Sequence, residues 1–242
     1  MLLRRVTQHV KSQDWFAVGL DFAIVVAGVV LALQVSNWSE ARANKDGTRN
    51  TLARLKSEAA FNIVTLNDMI ASIEESQSMR DRAMLAVAQC DGSAEAIGAV
   101  SNAIFEMSGD ILPSFVDNTL HELSRNDLYL DLLTNDFRAA LNIYNARLAD
   151  ERSQLEINYE LMWDDHVLRD PSIYVVAPEG DINRGSVALY RPMAELCKDP
   201  IFNRQLIMTA GWRQAATFRM TRFKEQSEAF LLDIDAELER LN

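Results

Sequence analysis

Side chains with the types and spacing that catalysis or metal binding requires are few in this chain. The dipeptide His121-Glu122 lacks the second histidine, four residues after the first, that a zinc-protease helix requires. Asp164, Asp165 and His166 combine oxygen and nitrogen ligands, but consecutive residues of a helix point in different directions. A solvated acidic helix end is the better interpretation of this cluster. We therefore expect no catalytic residue, no metal ligand and no cofactor, and we predict that the chain is not an enzyme.

Sequence motifs and net charge narrow the function classes further. No Gly-x-Ser-x-Gly motif, phosphate-binding loop or dinucleotide fingerprint occurs in the 242 residues. The net charge is −11, and since the first 36 residues carry +1, the remainder carries −12. An acidic chain of this kind repels the phosphate backbone, so we expect no nucleic-acid partner.

The longest apolar segment, residues 15–36, predicts a transmembrane helix. About twenty residues at 1.5 Å rise cover a hydrocarbon core of roughly 30 Å. Trp15 and Trp38 flank the segment, as interfacial anchors do. The alternative is a cleaved signal peptide, because a short basic stretch precedes the apolar run. Trp38 and Glu40 are poor residues for a cleavage region, so we expect the segment to be retained.

Asp21 lies inside this apolar segment, where a carboxyl group is costly and usually paired, protonated or faced inward. Small residues recur around it at the spacing that lets two membrane helices approach closely. One interpretation is oligomerisation, or docking onto another membrane protein, with Asp21 hydrogen-bonded across the interface. The alternative is a carboxylate near the end of the span that reaches headgroups or water. The residues of the predicted packing faces are Gly19, Asp21, Ala23, Ala27, Gly28 and Ala32.

Orientation is predicted less directly than the span itself. Lysine and arginine occur on both sides of the apolar segment, and a long C-terminal part can be translocated largely regardless of its charge. We expect residues 1–14 in the cytoplasm and residues 37–242 on the extracytoplasmic side. In that compartment Cys90 and Cys197, each near a predicted helix end, could form one disulfide. Two separate thiols remain the alternative, because sequence does not show whether the pair meets within about 6 Å.

Apolar residues at three- and four-residue steps predict long amphipathic helices after the anchor. We expect them over residues 38–89, 94–107, 113–125, 135–168 and 200–241. The stretch 172–192 is the least helical and includes a short β-like run at 173–176; a loop of this length is either functional or locally ordered by packing. The predicted fold class is all-α, with one N-terminal transmembrane helix followed by an antiparallel helical bundle over residues 37–242.

Residues 22–42, Phe-Ala-Ile-Val-Val-Ala-Gly-Val-Val-Leu-Ala-Leu-Gln-Val-Ser-Asn-Trp-Ser-Glu-Ala-Arg, carry a further signal. This segment resembles the amino-terminal signature of an uncharacterised family of bacterial single-pass membrane proteins, whose span ends in Leu-Gln-x-x-Asn-Trp and enters a helical extracytoplasmic domain. Ser39 departs from the family's usual Asn. The resemblance implies a bacterial inner membrane, a cytoplasmic N-terminus and a periplasmic domain, and it implies no chemistry.

These observations favour a non-catalytic accessory or structural subunit. Such a chain would dock on a larger membrane protein complex or associate with itself, and its partners would be the lipid bilayer and other membrane subunits. The alternative is an extracytoplasmic helical sensor or ligand-binding module that acts through a partner. A buried polar cavity would favour the sensor, and an apolar core would weigh against it.

Overall fold

A computed structural model describes residues 15–109, 111–164, 166–176 and 186–242. Helices make up most of these residues, so the predicted all-α fold class is confirmed, with one small antiparallel strand pair added. The chain divides into two units, Met1–Asn50 and Thr51–Asn242. The helices are α1 (Trp15–Glu75), α2 (Gln77–Ala88), α3 (Ala94–Glu106), α4 (Asn118–Ser124), α5 (Asp127–Leu130), α6 (Asn135–Asp164), α7 (Met193–Leu196) and α8 (Pro200–Arg240). The strands are β1 (Ile173–Val176) and β2 (Ser186–Leu189).

The prediction of one helix from the anchor to residue 89 is wrong, because α1 ends at Glu75 and α2 begins at Gln77. Side chains satisfy the last carbonyls at this break. The Ser76 hydroxyl and the Arg80 guanidinium each donate to the Ile73 carbonyl oxygen at 2.9 Å. Because these contacts replace regular helical bonding locally, the two helices are separate elements.

The segment around residue 113 also departs from prediction, since α4 begins only at Asn118. Two polar side chains of α1 bind the backbone at the start of α4 and just before it. The Asn62 amide both accepts from the Val116 N–H, at 2.9 Å, and donates to the Val116 carbonyl, at 2.8 Å. The Glu58 carboxylate accepts the Thr119 N–H at 2.8 Å, so it caps α4 from another helix.

Helix ends with local capping signals agree better with the sequence. The Ser93 hydroxyl oxygen accepts the Ala96 N–H at 3.2 Å and begins α3 at Ala94. At α8, Pro200 occupies the first turn, and Asp199 accepts the Ile201 N–H at 2.9 Å. The predicted end of α6 at residue 168 is wrong, because a 3-10 turn follows at Val167–Arg169.

Two apolar clusters form the core of the second unit, and α8 contributes to both. The larger cluster joins the Thr51–Glu75 part of α1 to α4, α6 and α8. Within it the Tyr144 ring stacks on Phe230 at 4.2 Å and on Phe223 at 5.8 Å between centroids. The smaller cluster joins α2, α3, β1, β2 and the first turns of α8, where Phe202 is fully buried. The apolar periodicity of the long helices therefore marks real buried faces.

Candidate functional site

Among the described residues, one helix, α1, is long and apolar enough to cross a membrane. Its most apolar window has none of its residues buried, and large side chains such as Phe22, Val29 and Leu33 are exposed along it. A long run of exposed apolar side chains is costly in water and is what lipid-facing helices present. The described residues therefore contain one candidate membrane span, near the N-terminus.

The predicted packing residues of this span lie on an unbroken stretch of α1, and all of them are exposed. At 100° per residue, Gly19, Ala23 and Ala27 share one face of the helix, and Asp21, Gly28 and Ala32 share a second. A side chain built at Gly19 or Gly28 would meet no atom within 4 Å. The spacing thus gives the helix two faces of small residues that no described residue covers. Contact of these faces with another membrane helix stays a prediction.

Of the two predicted interfacial anchors, Trp15 and Trp38, the structure describes the side chain of Trp38 only. Trp38 is exposed, and the Arg42 guanidinium carbon lies 5.7 Å from the centroid of its ring, within cation–π range. Trp15 begins α1, and its side chain lies outside the described residues. Their contact with a membrane interface stays a prediction.

Cys90 and Cys197 are joined in a disulfide, one of the two alternatives that the sequence leaves open, with Cα atoms 5.4 Å apart. The bond ties Cys90, two residues after the end of α2, to Cys197, the residue after α7, across a sequence separation of 107. Cys90 has a φ of 53°, and Asp91 donates its N–H to the Ala86 carbonyl at 3.0 Å. Glycine usually occupies the left-handed position of this helix-ending motif, and here a disulfide-bonded cysteine occupies it.

His166 is fully buried, which corrects its interpretation as part of a solvated acidic helix end. Its Nε2 lies 3.2 Å from the Met107 carbonyl oxygen, and its Nδ1 accepts the Leu168 N–H at 3.0 Å. One ring nitrogen therefore donates and the other accepts, which is the neutral form. The ring also stacks on Trp163 with centroids 4.7 Å apart. These contacts tie the end of α3 to the turn after α6.

Arg213 completes this buried junction from α8. Its Nε donates to the Met107 carbonyl at 3.2 Å, and its Nη2 donates to the Gly109 carbonyl at 2.6 Å. Asp164, by contrast, is exposed, and Asp165 lies outside the described residues. Within the described ranges no group of three or more potential ligands could hold a metal ion. The contacts of His166 and Arg213 join the end of α3 to α8 and to the turn after α6.

Protonation of His166 is expected to destabilise the folded chain. Burial lowers the pKa of His166, and the charges of Arg213 and Arg169 lower it further, against a raising effect of the Met107 carbonyl. The unfolded histidine titrates near ~6.5, so its contribution to stability is complete above that pH and is lost as pH falls through the lower folded pKa. We expect the loss in unfolding free energy between pH 7.5 and pH 5.5 to be larger for the native chain than for His166→Gln. Equal losses in both chains would contradict this.

Sequence reasoning missed two residues that organise the second unit, Glu58 and Arg213. Arg213 lies on the buried stripe of α8 between Thr209 and Ala216. A charged residue at a position where the periodicity predicts an apolar one is the signal that could have identified it. Glu58 stands beside the apolar stripe of α1, and nothing in its spacing indicates that it caps α4. Its partner Thr119 is brought close only by the tertiary fold, with Oγ1 2.8 Å from the carboxylate.

Comparison with known proteins finds no match: no protein-family model, no curated protein and no solved structure matches this chain. The described residues form an all-α protein, and one candidate membrane span lies among them. The resemblance of residues 22–42 to a bacterial membrane family stays a prediction.

Proposed function

We propose that this chain is a non-catalytic accessory subunit of a larger membrane protein assembly, anchored by α1. The observation that carries the proposal is the exposure of Asp21 together with five small residues in the candidate span. A carboxyl group in hydrocarbon needs a partner or a proton, and an interhelical hydrogen bond supplies the partner. The neighbouring small residues let a second helix come close enough to form it.

The proposed compartment is the extracytoplasmic side of a bacterial inner membrane, with residues 1–14 in the cytoplasm. The Cys90–Cys197 disulfide supports this placement, because such bonds persist in oxidising compartments and are rare in the cytosol. The one candidate span found among the described residues supports a single crossing of the membrane. The bacterial assignment and the cytoplasmic N-terminus rest on the resemblance of residues 22–42 to the bacterial membrane family.

The faces of the span differ in what they offer to neighbours. Phe22, Val29 and Leu33 lie on a third face at 100° per residue, and their large exposed side chains suit lipid chains. The other two faces carry glycine and alanine, which suit a close helix partner. If docking runs through the span, its contacts should follow this periodicity.

Site-directed photo-crosslinking in native membranes tests the proposal. A photoreactive residue is placed at Ala23, Ala27 or Gly28, with matched control positions at Val29 and Leu33 at similar depth. We expect protein adducts from the first three positions and lipid or no adducts from the controls. Adducts from all five positions alike, or from none, would contradict docking through these faces.

Ligand sensing is the second candidate function, and one position in the larger apolar cluster favours it. The Tyr144 phenol is buried there, which raises its pKa, and it lies near Asn62 and Ser227. Both neighbours already serve the fold, since Asn62 holds Val116 and the Ser227 hydroxyl donates to the Phe223 carbonyl at 2.9 Å. A small molecule that stabilises the native chain but not Tyr144→Phe against heat would favour sensing over docking.

A further inference from the structure

An open groove of about 540 Å³ runs between α2 and the middle of α8, within the second unit. Ile207, Gly211, Gln214 and Phe218 follow each other along α8 at four- and three-residue steps, so they share one face. Ile207 is 54% exposed and Phe218 is 70% exposed, so two large apolar side chains on this one face are open to solvent. This face of α8 therefore offers an apolar surface that its own chain leaves uncovered in the described residues.

Gly211 leaves open space in the middle of the groove. A side chain built at Gly211 would meet no atom within 4 Å, so an incoming side chain has room against the α8 backbone. On the opposite wall Met84 adds a further apolar side chain from α2. The groove thus has a hollow at Gly211 flanked by Ile207 and Phe218, the arrangement that accepts the apolar stripe of a helix.

The charged residues of the groove are predominantly acidic. Glu74 and Asp81 line it, and Arg80 is its one basic lining residue in the described part of the chain. Arg80 is only 8% exposed, and its guanidinium donates to the Ile73 carbonyl at 2.9 Å and to the Ser76 hydroxyl. Because that cation is turned into the helix junction, the groove presents carboxylates to an incoming molecule.

We infer that this groove docks an amphipathic helix of another protein, with an apolar stripe flanked by lysine or arginine. The inference rests on the proposed accessory function and names the chemistry of the partner. Apolar side chains would cover Ile207 and Phe218 and enter the hollow at Gly211, and basic side chains would face Glu74 and Asp81. A second copy fits less well, because a two-fold contact through this groove brings like carboxylates together.

The test uses the full-length chain in zwitterionic lipid nanodiscs and two synthetic helical peptides with the same leucine stripe. One peptide has lysines flanking the stripe and the other has glutamates; empty nanodiscs correct for lipid binding. We expect the lysine peptide to bind and the glutamate peptide not to bind. Phe218→Ser should weaken binding about thirty-fold, as for a central aromatic contact.

Leu232→Ser is the matched control, since Leu232 is 72% exposed on the same helix and does not line the groove. It should leave the affinity unchanged, and Asp81→Asn should weaken binding and reduce its salt dependence. Equal binding of both peptides, or equal effects of Phe218→Ser and Leu232→Ser, would overturn the inference. A two-fold dimer of the chain that Phe218→Ser breaks would also overturn it in favour of a second copy.

The two experiments distinguish failure of the groove inference from failure of the proposed docking through the span. Span crosslinks at Ala23 and Ala27 that persist while the lysine peptide does not bind would remove only the groove inference. Peptide binding without span crosslinks would instead remove docking through the anchor and leave the groove as the contact site.

Discussion

Breaking the Cys90–Cys197 disulfide is expected to lower the free energy of unfolding by about 2–5 kcal/mol. The bond closes a sequence separation of 107 residues, so its loss frees a long segment in the unfolded state. The measurement is denaturant unfolding of the full-length chain in detergent, with and without a reductant.

The double variant Cys90→Ser, Cys197→Ser provides the control for this prediction. It should unfold at the same denaturant concentration as the reduced native chain and should not respond to reductant. A native chain whose midpoint does not move on reduction would show that the second unit holds α2 and α7 together without the bond.

Phe223→Ala is expected to lower the free energy of unfolding by about 3–5 kcal/mol. Phe223 is 1% exposed, and its ring contacts Phe115 edge to face with centroids 5.5 Å apart and stacks on Tyr144. Removing it leaves a cavity at the centre of the larger apolar cluster and takes away two aromatic contacts.

Phe218→Ala is the matched control, because it removes the same side chain from the same helix at an exposed position. It should change the unfolding free energy by no more than about 0.5 kcal/mol. Similar losses for the two variants would mean that Phe218 is buried in solution, and would remove the apolar groove as well. Thermal and denaturant unfolding of both variants, followed by helical circular dichroism, makes the comparison.

Elements with local signals could be predicted from the sequence, and elements fixed by distant side chains could not. Pro200 after Asp199 marks the start of α8, and Ser93 marks the start of α3, because each cap acts within three residues. The start of α4 depends on Glu58, which is 61 residues away along the chain. No periodicity reports a contact of that kind, so the predicted helix from residue 113 began too early.

The same division applies to the candidate sites. Spacing alone predicts the two faces of the span, because Gly19, Ala23 and Ala27 need only a helix to share a side. The groove exists only because α2 packs beside α8. The apolar periodicity predicts α1 and α2 as one continuous helix, so the groove could not be predicted from the sequence. The burial of His166 was missed for a related reason: its partner, the Met107 carbonyl, is a backbone group 59 residues earlier.

The central claim, that this chain works as a subunit of a larger membrane assembly, is tested most directly by its native mass. Full-length chain is released from membranes in mild detergent, and the intact particle is weighed by native mass spectrometry after detergent removal. The account predicts a particle well above the 27.3 kDa of one chain, with partner subunits present in fixed ratio. A particle of 27.3 kDa alone, unchanged by Asp21→Leu, would contradict it.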